Sequence, residues 1–182
     1  MSVCEVHGFR DATVNSGGSM LGGVKRVDTS DGPCTIARSA ALLGDHWNLL
    51  IVREACLGTR RFDDFQAELG IGRNILTTRL HQLVEAGVLK RVAYQESPQR
   101  FEYRLTQQGR DVYPILAAMA TFGDKWLHGS GEPLVIFRHL TCDHDMHAVV
   151  TCSECAQPLD ARSVRARPGP GYPTDHALPD NA

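Results

Sequence analysis

The sequence predicts a mainly α-helical α+β domain in which helices come first, a small β-hairpin follows, and a further helix completes the unit. Apolar residues recur every three or four positions over 36–55, 62–69 and 76–84, which is the period of amphipathic helices. After Gly87 the period changes to that of strands, in two runs rich in Val, Tyr and Phe. A helical stripe then returns over 112–126.

Composition restricts the class of protein. The chain has 182 residues, 42% of them apolar and 22% charged, which are ordinary values for a soluble folded protein. Its 19 basic and 21 acidic residues give a net charge of −2, which excludes a highly basic nucleic-acid coat but not a local basic face. No run approaches the roughly 20 apolar residues that span a bilayer, and residues 1–20 lack the apolar core of a signal peptide. We therefore expect a cytoplasmic protein without membrane association.

Four segments are expected along the chain. Residues 1–32 are rich in Gly and small polar residues, and they have too little apolar surface to offset ordering entropy, so they should form a flexible leader. Residues 33–128 form the folded domain. Residues 129–160 are a compact Cys/His-rich module, and the Pro-containing residues 161–182 should be a disordered tail.

The helical region should divide at its glycines. Gly44 lies inside the first apolar stripe and is expected to separate two helices. A short helix over 62–69 is followed by a Gly-Ile-Gly break and then by a second helix over 73–86. Gly87 should end that second helix, because glycine enters the left-handed region cheaply.

The hairpin and the last helix follow. Strands are predicted over 88–94 and 101–106, joined by a polar turn over 95–100 that contains Pro98. Thr106 is the expected N-cap of one long helix that continues to residue 127.

This order of elements is that of a winged helix-turn-helix. Leu76, Leu80 and Leu83 would face inward, so that the polar side of their helix could enter a DNA major groove. Residues 72–104 hold six basic and three acidic residues, a local charge of +3 against −2 overall, and such a local excess suits phosphate binding. Solvated charged faces on a small helical bundle would give the same pattern. The candidate DNA contacts are Arg60, Arg61, Arg73, Asn74, Thr77, Thr78, Arg79, Gln99 and Arg100.

Four motifs resemble the HxlR family of bacterial regulators, relatives of MarR, over about residues 34–128. They are G-D-x-W, R-R-F-D-D-F, I-x-x-N-x-L-T-x-R-L and E-Y-R-L-T-x-x-G. The resemblance implies a homodimer that packs through its first helix and its long C-terminal helix. It also implies binding of double-stranded DNA at an inverted repeat, most simply as a repressor that blocks polymerase.

A regulatory signal, either redox or a small molecule, would act on the expected homodimer. The resemblance extends to Cys34, which matches a cysteine used by redox-sensing relatives, and a position near a helix N-terminus favours the reactive thiolate. The alternative is a thiol that merely occupies the family position. Cys56 is predicted to pack in the core, and Cys4 has no assigned role. A small-molecule effector is a further option, with Trp47, Phe62 and Trp126 as pocket or dimer-contact candidates that an aromatic core would also explain.

The Cys/His-rich module has the residue types of a zinc site. Cys152 and Cys155 form a C-x2-C pair, and Cys142 with His144 or His139 would complete three thiolates and one imidazole around a structural Zn²⁺. His147 also remains open as the fourth ligand. A reversible Cys152–Cys155 disulfide and simple reduced thiols are the alternatives.

Enzyme signatures are missing from the sequence. It contains no G-x-S-x-G, no P-loop and no G-x-G-x-x-G after a strand, so we predict that the protein is not an enzyme. The alternative to a DNA-binding regulator is a protein-interaction module that acts through the zinc ribbon, with DNA binding secondary.

Overall fold

The computed structural model describes residues 34–129 and 132–173. The predicted leader 1–32, with Cys4, and the tail beyond residue 173 lie outside the described residues. Within the described part of the chain, no helix is both long and apolar enough to cross a membrane.

The described chain forms six helices and four strands. Their bounds are α1 Thr35–Leu43, α2 His46–Cys56, α3 Phe62–Leu69, α4 Arg73–Glu85, β1 Leu89–Glu96, β2 Gln99–Leu105, α5 Gln107–Arg110, α6 Tyr113–Trp126, β3 Phe137–His139 and β4 His144–Met146. β1 pairs with β2 and β3 pairs with β4, both antiparallel. This order confirms the predicted α+β winged helix.

One apolar core holds the domain together. The three predicted leucines of α4, Leu76, Leu80 and Leu83, are completely buried, together with Phe65 of α3. The other members of the cluster come from α1, α2, β1 and the segments that connect the elements: Leu43, Ile51, Val52, Ile71, Val88, Leu89 and Val112. Because α2 contacts α3, α4 and β2, it is the central support against which the helix-turn-helix packs.

Polar contacts fix the start of α2 and connect it to α4. Asp45 is the N-cap of α2, and its Oδ1 accepts a hydrogen bond from the Trp47 N–H at 3.0 Å. The other carboxylate oxygen lies 2.7 Å from an Nη2 of Arg79 in α4. Asp45 therefore caps one helix and holds another. Gly44 separates α1 from α2 as predicted.

The hairpin differs from its prediction at the tip. Cα pairing continues to Gln95–Arg100 and Glu96–Gln99, so the turn is only Ser97-Pro98 rather than 95–100. The polar composition of these residues suggested a loop, but strand pairing across the hairpin extends both strands through them. The register is irregular between Ala93 and Gln95.

The predicted long C-terminal helix is two helices. Thr106 caps α5 as expected, because its Oγ1 accepts from the Gly109 N–H at 3.1 Å. The same hydroxyl donates to the Gly87 carbonyl oxygen at 2.6 Å, which ties α5 to the turn after α4. Helix α5 ends at Arg110, and α6 begins at Tyr113 with Pro114 in its first turn. Proline lacks an N–H and its ring clashes with the carbonyl four residues earlier, so the helix cannot run through.

The C-terminal segment packs beside α6. The Ala148 N–H donates to the Thr121 hydroxyl at 3.2 Å, and the Leu134 N–H lies 3.5 Å from the Asp124 carboxylate. A cavity of about 310 Å³ lies between α6 and the β3–β4 hairpin. Residues 161–173, the described part of the predicted tail, contain turns but no helix or strand and are almost entirely exposed.

Gly109 tests the packing of α5 against the hairpin. A methyl group at this position would lie 2.2 Å from the Val88 carbonyl oxygen and 2.9 Å from Leu105 Cδ2. Gly109→Ala should therefore lower the free energy of unfolding by about 1–3 kcal/mol, as overpacked sites do. Urea unfolding followed by circular dichroism measures this change.

Gly123→Ala in α6 is the matched control, because a methyl group there meets nothing within 4 Å. Alanine is also the better helix former, by up to about 1 kcal/mol, so this variant should be neutral or stabilised. Equal destabilisation of the two variants would contradict the close approach at Gly109.

Candidate nucleic-acid interface

The outward face of α4 is polar. Arg73, Asn74, Thr77 and Thr78 are all exposed. Asn74 and Thr78 share the side away from the buried leucines, whereas Arg73 reaches solvent because it lies in the first turn. The Thr77 hydroxyl donates to the Arg73 carbonyl oxygen at 2.9 Å, and the Thr78 hydroxyl donates to the Asn74 carbonyl oxygen at 3.0 Å. These bonds satisfy the hydroxyl protons within the helix. They leave the oxygen lone pairs and the methyl groups available to base edges, including the thymine methyl.

Arg73 stands at the first position of α4. Its guanidinium carbon is 4.9 Å from the centroid of the Phe62 ring, and an Nη1 is 4.0 Å from Asp63. Both charged side chains are more than two-thirds exposed, so this ion pair is weak and easily replaced by another anion. No side chain caps α4 at Gly72, and a helix N-terminus with free N–H groups attracts phosphate.

An open groove lies between the helix-turn-helix and the hairpin. Its volume is about 530 Å³, and it gathers residues from α3, α4, β1 and β2. Its lining contains four arginines and two aspartates: Arg61, Arg73, Arg91, Arg100, Asp63 and Asp64. Arg73, Arg61 and Arg100, which are predicted DNA contacts from three separate stretches of sequence, therefore line one surface.

Aromatic rings orient two of these arginines. The Arg91 guanidinium carbon lies 3.4 Å from the centroid of Phe101, and that of Arg61 lies 4.9 Å from the centroid of Tyr94. A stacked guanidinium keeps its N–H edges free for an anion. Sequence reasoning did not single out Arg91 as a member of this groove. Its place there depends on the β1–β2 register, in which it pairs with Tyr103, and no periodic signal in the sequence marks it.

The remaining predicted contacts have different surroundings. Gln99 lines the groove at the hairpin tip. Arg60 is exposed, and its carbonyl oxygen accepts from the Tyr103 N–H at 2.7 Å, so it runs beside β2. Arg79 is half-buried and bonded to Asp45 and to the Gln82 side chain at 2.9 Å. The Arg79 guanidinium is thus engaged inside the domain, where it positions α4.

The two cysteines of the helical domain differ in exposure. Cys34 is exposed at the N-cap of α1, and its side chain makes no capping bond. Cys56, at the end of α2, packs against the core as predicted. Burial raises the pKa of the Cys56 thiol, which keeps it protonated and slow to react.

The three predicted aromatic candidates occupy different environments. Trp47 packs on the core, with its ring centroid 4.7 Å from that of His46. Phe62 also packs on the core and lines the arginine groove. Trp126, at the end of α6, is 65% exposed.

The Cys/His-rich module offers its side chains in two pairs. His139 Nδ1 lies 3.3 Å from Cys142 Sγ, and the second pair is Cys152 with Cys155. Backbone N–H groups of Cys155 and Glu154 lower the pKa of the Cys152 thiol. Across residues 34–129 and 132–173, no three His, Cys, Asp or Glu side chains form a ready cluster for a metal ion.

Comparison with known proteins identifies relatives of the chain. Residues 42–130 match the family described as HxlR-like helix-turn-helix. The uncharacterized HTH-type transcriptional regulator Rv3095 of Mycobacterium tuberculosis is 40% identical over 138 residues, which are 76% of this chain and 87% of the relative. An uncharacterized HTH-type transcriptional regulator of Synechocystis, sll1512, is 40% identical over 52% of this chain and 70% of its own.

Two solved structures resemble the chain in three dimensions. PA1607, described as a candidate transcription factor, has a TM-score of 0.69 and 34% identity, and the match covers 78% of this chain and 99% of that one. PA1374 of Pseudomonas aeruginosa, also described as a candidate transcription factor, has a TM-score of 0.56 and 32% identity, over 78% and 96% of the two chains.

The double role of Asp45 can be separated by substitution. Asp45→Asn keeps a good N-cap but removes the charge that faces Arg79, whereas Asp45→Ala removes both. We expect Asp45→Asn to lower the free energy of unfolding by up to about 1 kcal/mol. Asp45→Ala should lower it by about 1 kcal/mol more. Chemical denaturation checks both values, and equal losses would show that Asp45 does not act as a cap.

Proposed function

The chain belongs to the HxlR-like helix-turn-helix family, and from this premise we propose that it recognises a specific inverted-repeat operator as a homodimer. Its relatives are named as HTH-type transcriptional regulators, which are not enzymes, and the chain is accordingly a DNA-binding regulator. The observation that most supports operator recognition is the exposed polar face of α4 beside the groove of four arginines.

We assign base contacts to the N-terminal part of α4 and phosphate contacts to the groove. Arg73 and Asn74, near the N-terminus of α4, approach base edges in the major groove, where arginine suits guanine and asparagine suits adenine. Arg61, Arg91 and Arg100 contact the phosphate backbone, which positions the protein without reading sequence. Arg60 and Gln99 extend this backbone contact along the hairpin.

The exposed side of α6 supports the homodimer. Ile115, Met119, Phe122 and Trp126 are spaced four, three and four residues apart, and each is between 45% and 65% exposed. Monomeric proteins rarely leave such a stripe in water. A second copy would cover the stripe, together with Ile36 of α1. The two-fold axis would then set the two α4 helices on half-sites about 10 bp apart, or a multiple of that.

Regulation is proposed to act through this dimer. Occupation of an operator that overlaps a promoter would repress transcription by blocking polymerase. Cys34 lies exposed at the start of α1, so oxidation or alkylation of its thiol would disturb the dimer contact at α1. A small-molecule effector at the same interface would act likewise by favouring one arrangement of the two copies.

Arginine substitutions test the division between base and backbone contacts. Arg73→Ala should reduce discrimination between the operator and a mismatched site by about 1–3 kcal/mol. Arg100→Ala and Arg91→Ala should weaken binding to all sequences alike and lower the slope of log K against log salt by about 1. Fluorescence anisotropy with duplexes selected from a random pool, over a salt series, measures both quantities.

Arg165→Ala is the control, because Arg165 is an exposed arginine of the C-terminal segment that is not among the residues lining the groove. It should leave affinity and salt slope unchanged. If Arg73→Ala and Arg100→Ala gave the same loss at every sequence, the division between base and backbone contacts would be wrong.

Cys34→Ser tests the redox proposal. Hydrogen peroxide, which oxidises a single thiol to a sulfenic acid and is itself reduced to water, should release the wild-type protein from operator DNA, whereas Cys34→Ser should stay bound because its hydroxyl is not oxidised. Cys56→Ala, which removes the half-buried thiol, should release like the wild type. Release of the Cys34→Ser variant to the wild-type extent would rule out Cys34 as the sensor.

A further inference from the structure

Two turns of the C-terminal segment have the same geometry. Each begins and ends with a metal-ligand type of residue three positions apart, His139 with Cys142 in one and Cys152 with Cys155 in the other. The next residue in each turn is left-handed, with φ of 56° at Asp143 and 57° at Ala156. Among the described residues these are the only non-glycine positions with positive φ. An alanine is strained there, so the repeat indicates a specific turn type.

The two turns also have backbone hydrogen bonds at equivalent positions. The Asp143 N–H donates to the His139 carbonyl oxygen at 2.8 Å, and the Ala156 N–H donates to the Cys152 carbonyl oxygen at 2.9 Å. Each turn also forms the tip of a short antiparallel hairpin. His139 pairs with His144 between β3 and β4, and the Cys152 N–H donates to the Gln157 carbonyl oxygen at 2.9 Å beside the Thr151–Pro158 bridge. The chain thus contains two equivalent tips, each with two ligand side chains.

The geometry of the first tip distinguishes His139 from His144 as the ligand. A tetrahedral zinc ion with ordinary Zn–N and Zn–S lengths holds an imidazole nitrogen and a sulfur about 3.6 Å apart. The 3.3 Å between His139 Nδ1 and Cys142 Sγ is close to that value. His144 lies across the ladder, outside the turn, and its Nδ1 is 2.5 Å from the Cys142 carbonyl oxygen. His139 therefore occupies the position that Cys152 has in the second tip.

We propose that His139, Cys142, Cys152 and Cys155 bind one structural Zn²⁺ per chain, with two ligands from each hairpin tip. The tips stand apart among the described residues, where no three such side chains are clustered. Binding therefore draws them together. Residues 147–150, which connect the two hairpins, have no helix or strand, so the closing movement disrupts no regular structure.

A bound metal would also stabilise a segment that has too little apolar core to be stable by itself. No residue of 132–173 is fully buried, so the segment has almost no apolar core of its own. Small units of this kind are usually stabilised by metal or disulfides. The connection to α6 through Thr121 and Ala148 means that a zinc-closed segment would be held against the helix that carries the exposed apolar stripe.

The experiment uses the full-length chain, purified with reductant and zinc. Native mass spectrometry should find one zinc per chain, and Co²⁺ substituted for zinc should give tetrahedral d–d bands with a thiolate charge-transfer band. Second-sphere partners of a metal change its affinity by about 10–100-fold, so loss of a direct ligand should cost no less. Chelator competition should show that loss for His139→Gln and for Cys152→Ser, and wild-type affinity for the matched control His144→Gln.

Limited proteolysis gives a second readout. Removing zinc from the wild type should expose the 132–173 segment to protease while residues 34–129 stay protected. Wild-type protein with no retained metal, or with a Cys152–Cys155 disulfide under reductant, would overturn the proposal. Half a zinc per chain would overturn the single-chain site in favour of one shared between copies. Loss of zinc in His144→Gln but not in His139→Gln would overturn the ligand assignment.

Discussion

Burial of the apolar side of α4 is the constraint on which the DNA-facing surface depends. Leu76, Leu80 and Leu83 are completely buried against the other helices and β1, and a rigid helix that buries one side must present the other to solvent. Asn74 and Thr78, four residues apart on the other side, therefore face outward together. The Asp45–Arg79 ion pair, at 2.7 Å, adds a polar link between the start of α2 and the middle of α4.

Charge is arranged locally in a chain whose net charge is −2. Several carboxylates are paired within the domain: Glu54 with Arg53, Glu102 with Arg104, and Asp45 with Arg79. Three of the groove arginines, Arg61, Arg73 and Arg91, are instead stacked on aromatic rings, and Arg73 is also loosely paired at the surface. A basic groove can therefore coexist with an acidic chain, because phosphate binding depends on the charges within about a Debye length of the contact.

The C-terminal segment differs from the helical domain in how it is held. Every buried apolar residue of the described chain lies within residues 43–117, so the segment beyond α6 rests on short hairpins and on a few polar contacts with α6. This gives α6 two functions. One side helps to close the domain through Leu116 and Ala117, and the other offers apolar side chains and a docking edge for the C-terminal segment.

The sequence alone determined the parts of the molecule that depend on local rules. The bounds of α3, the break at Gly44, the Thr106 cap, the stop at Gly87 and the inward leucines of α4 all follow from periodicity and capping within a few residues. Tertiary structure decided what depends on distant partners. Strand pairing extended β1 and β2 into a predicted turn, the register placed Arg91 on Phe101, and Asp45 engaged Arg79. Neighbours in space that are far apart in sequence leave no periodic signal, which is why Arg79 seemed equivalent to Arg73 until the fold separated them.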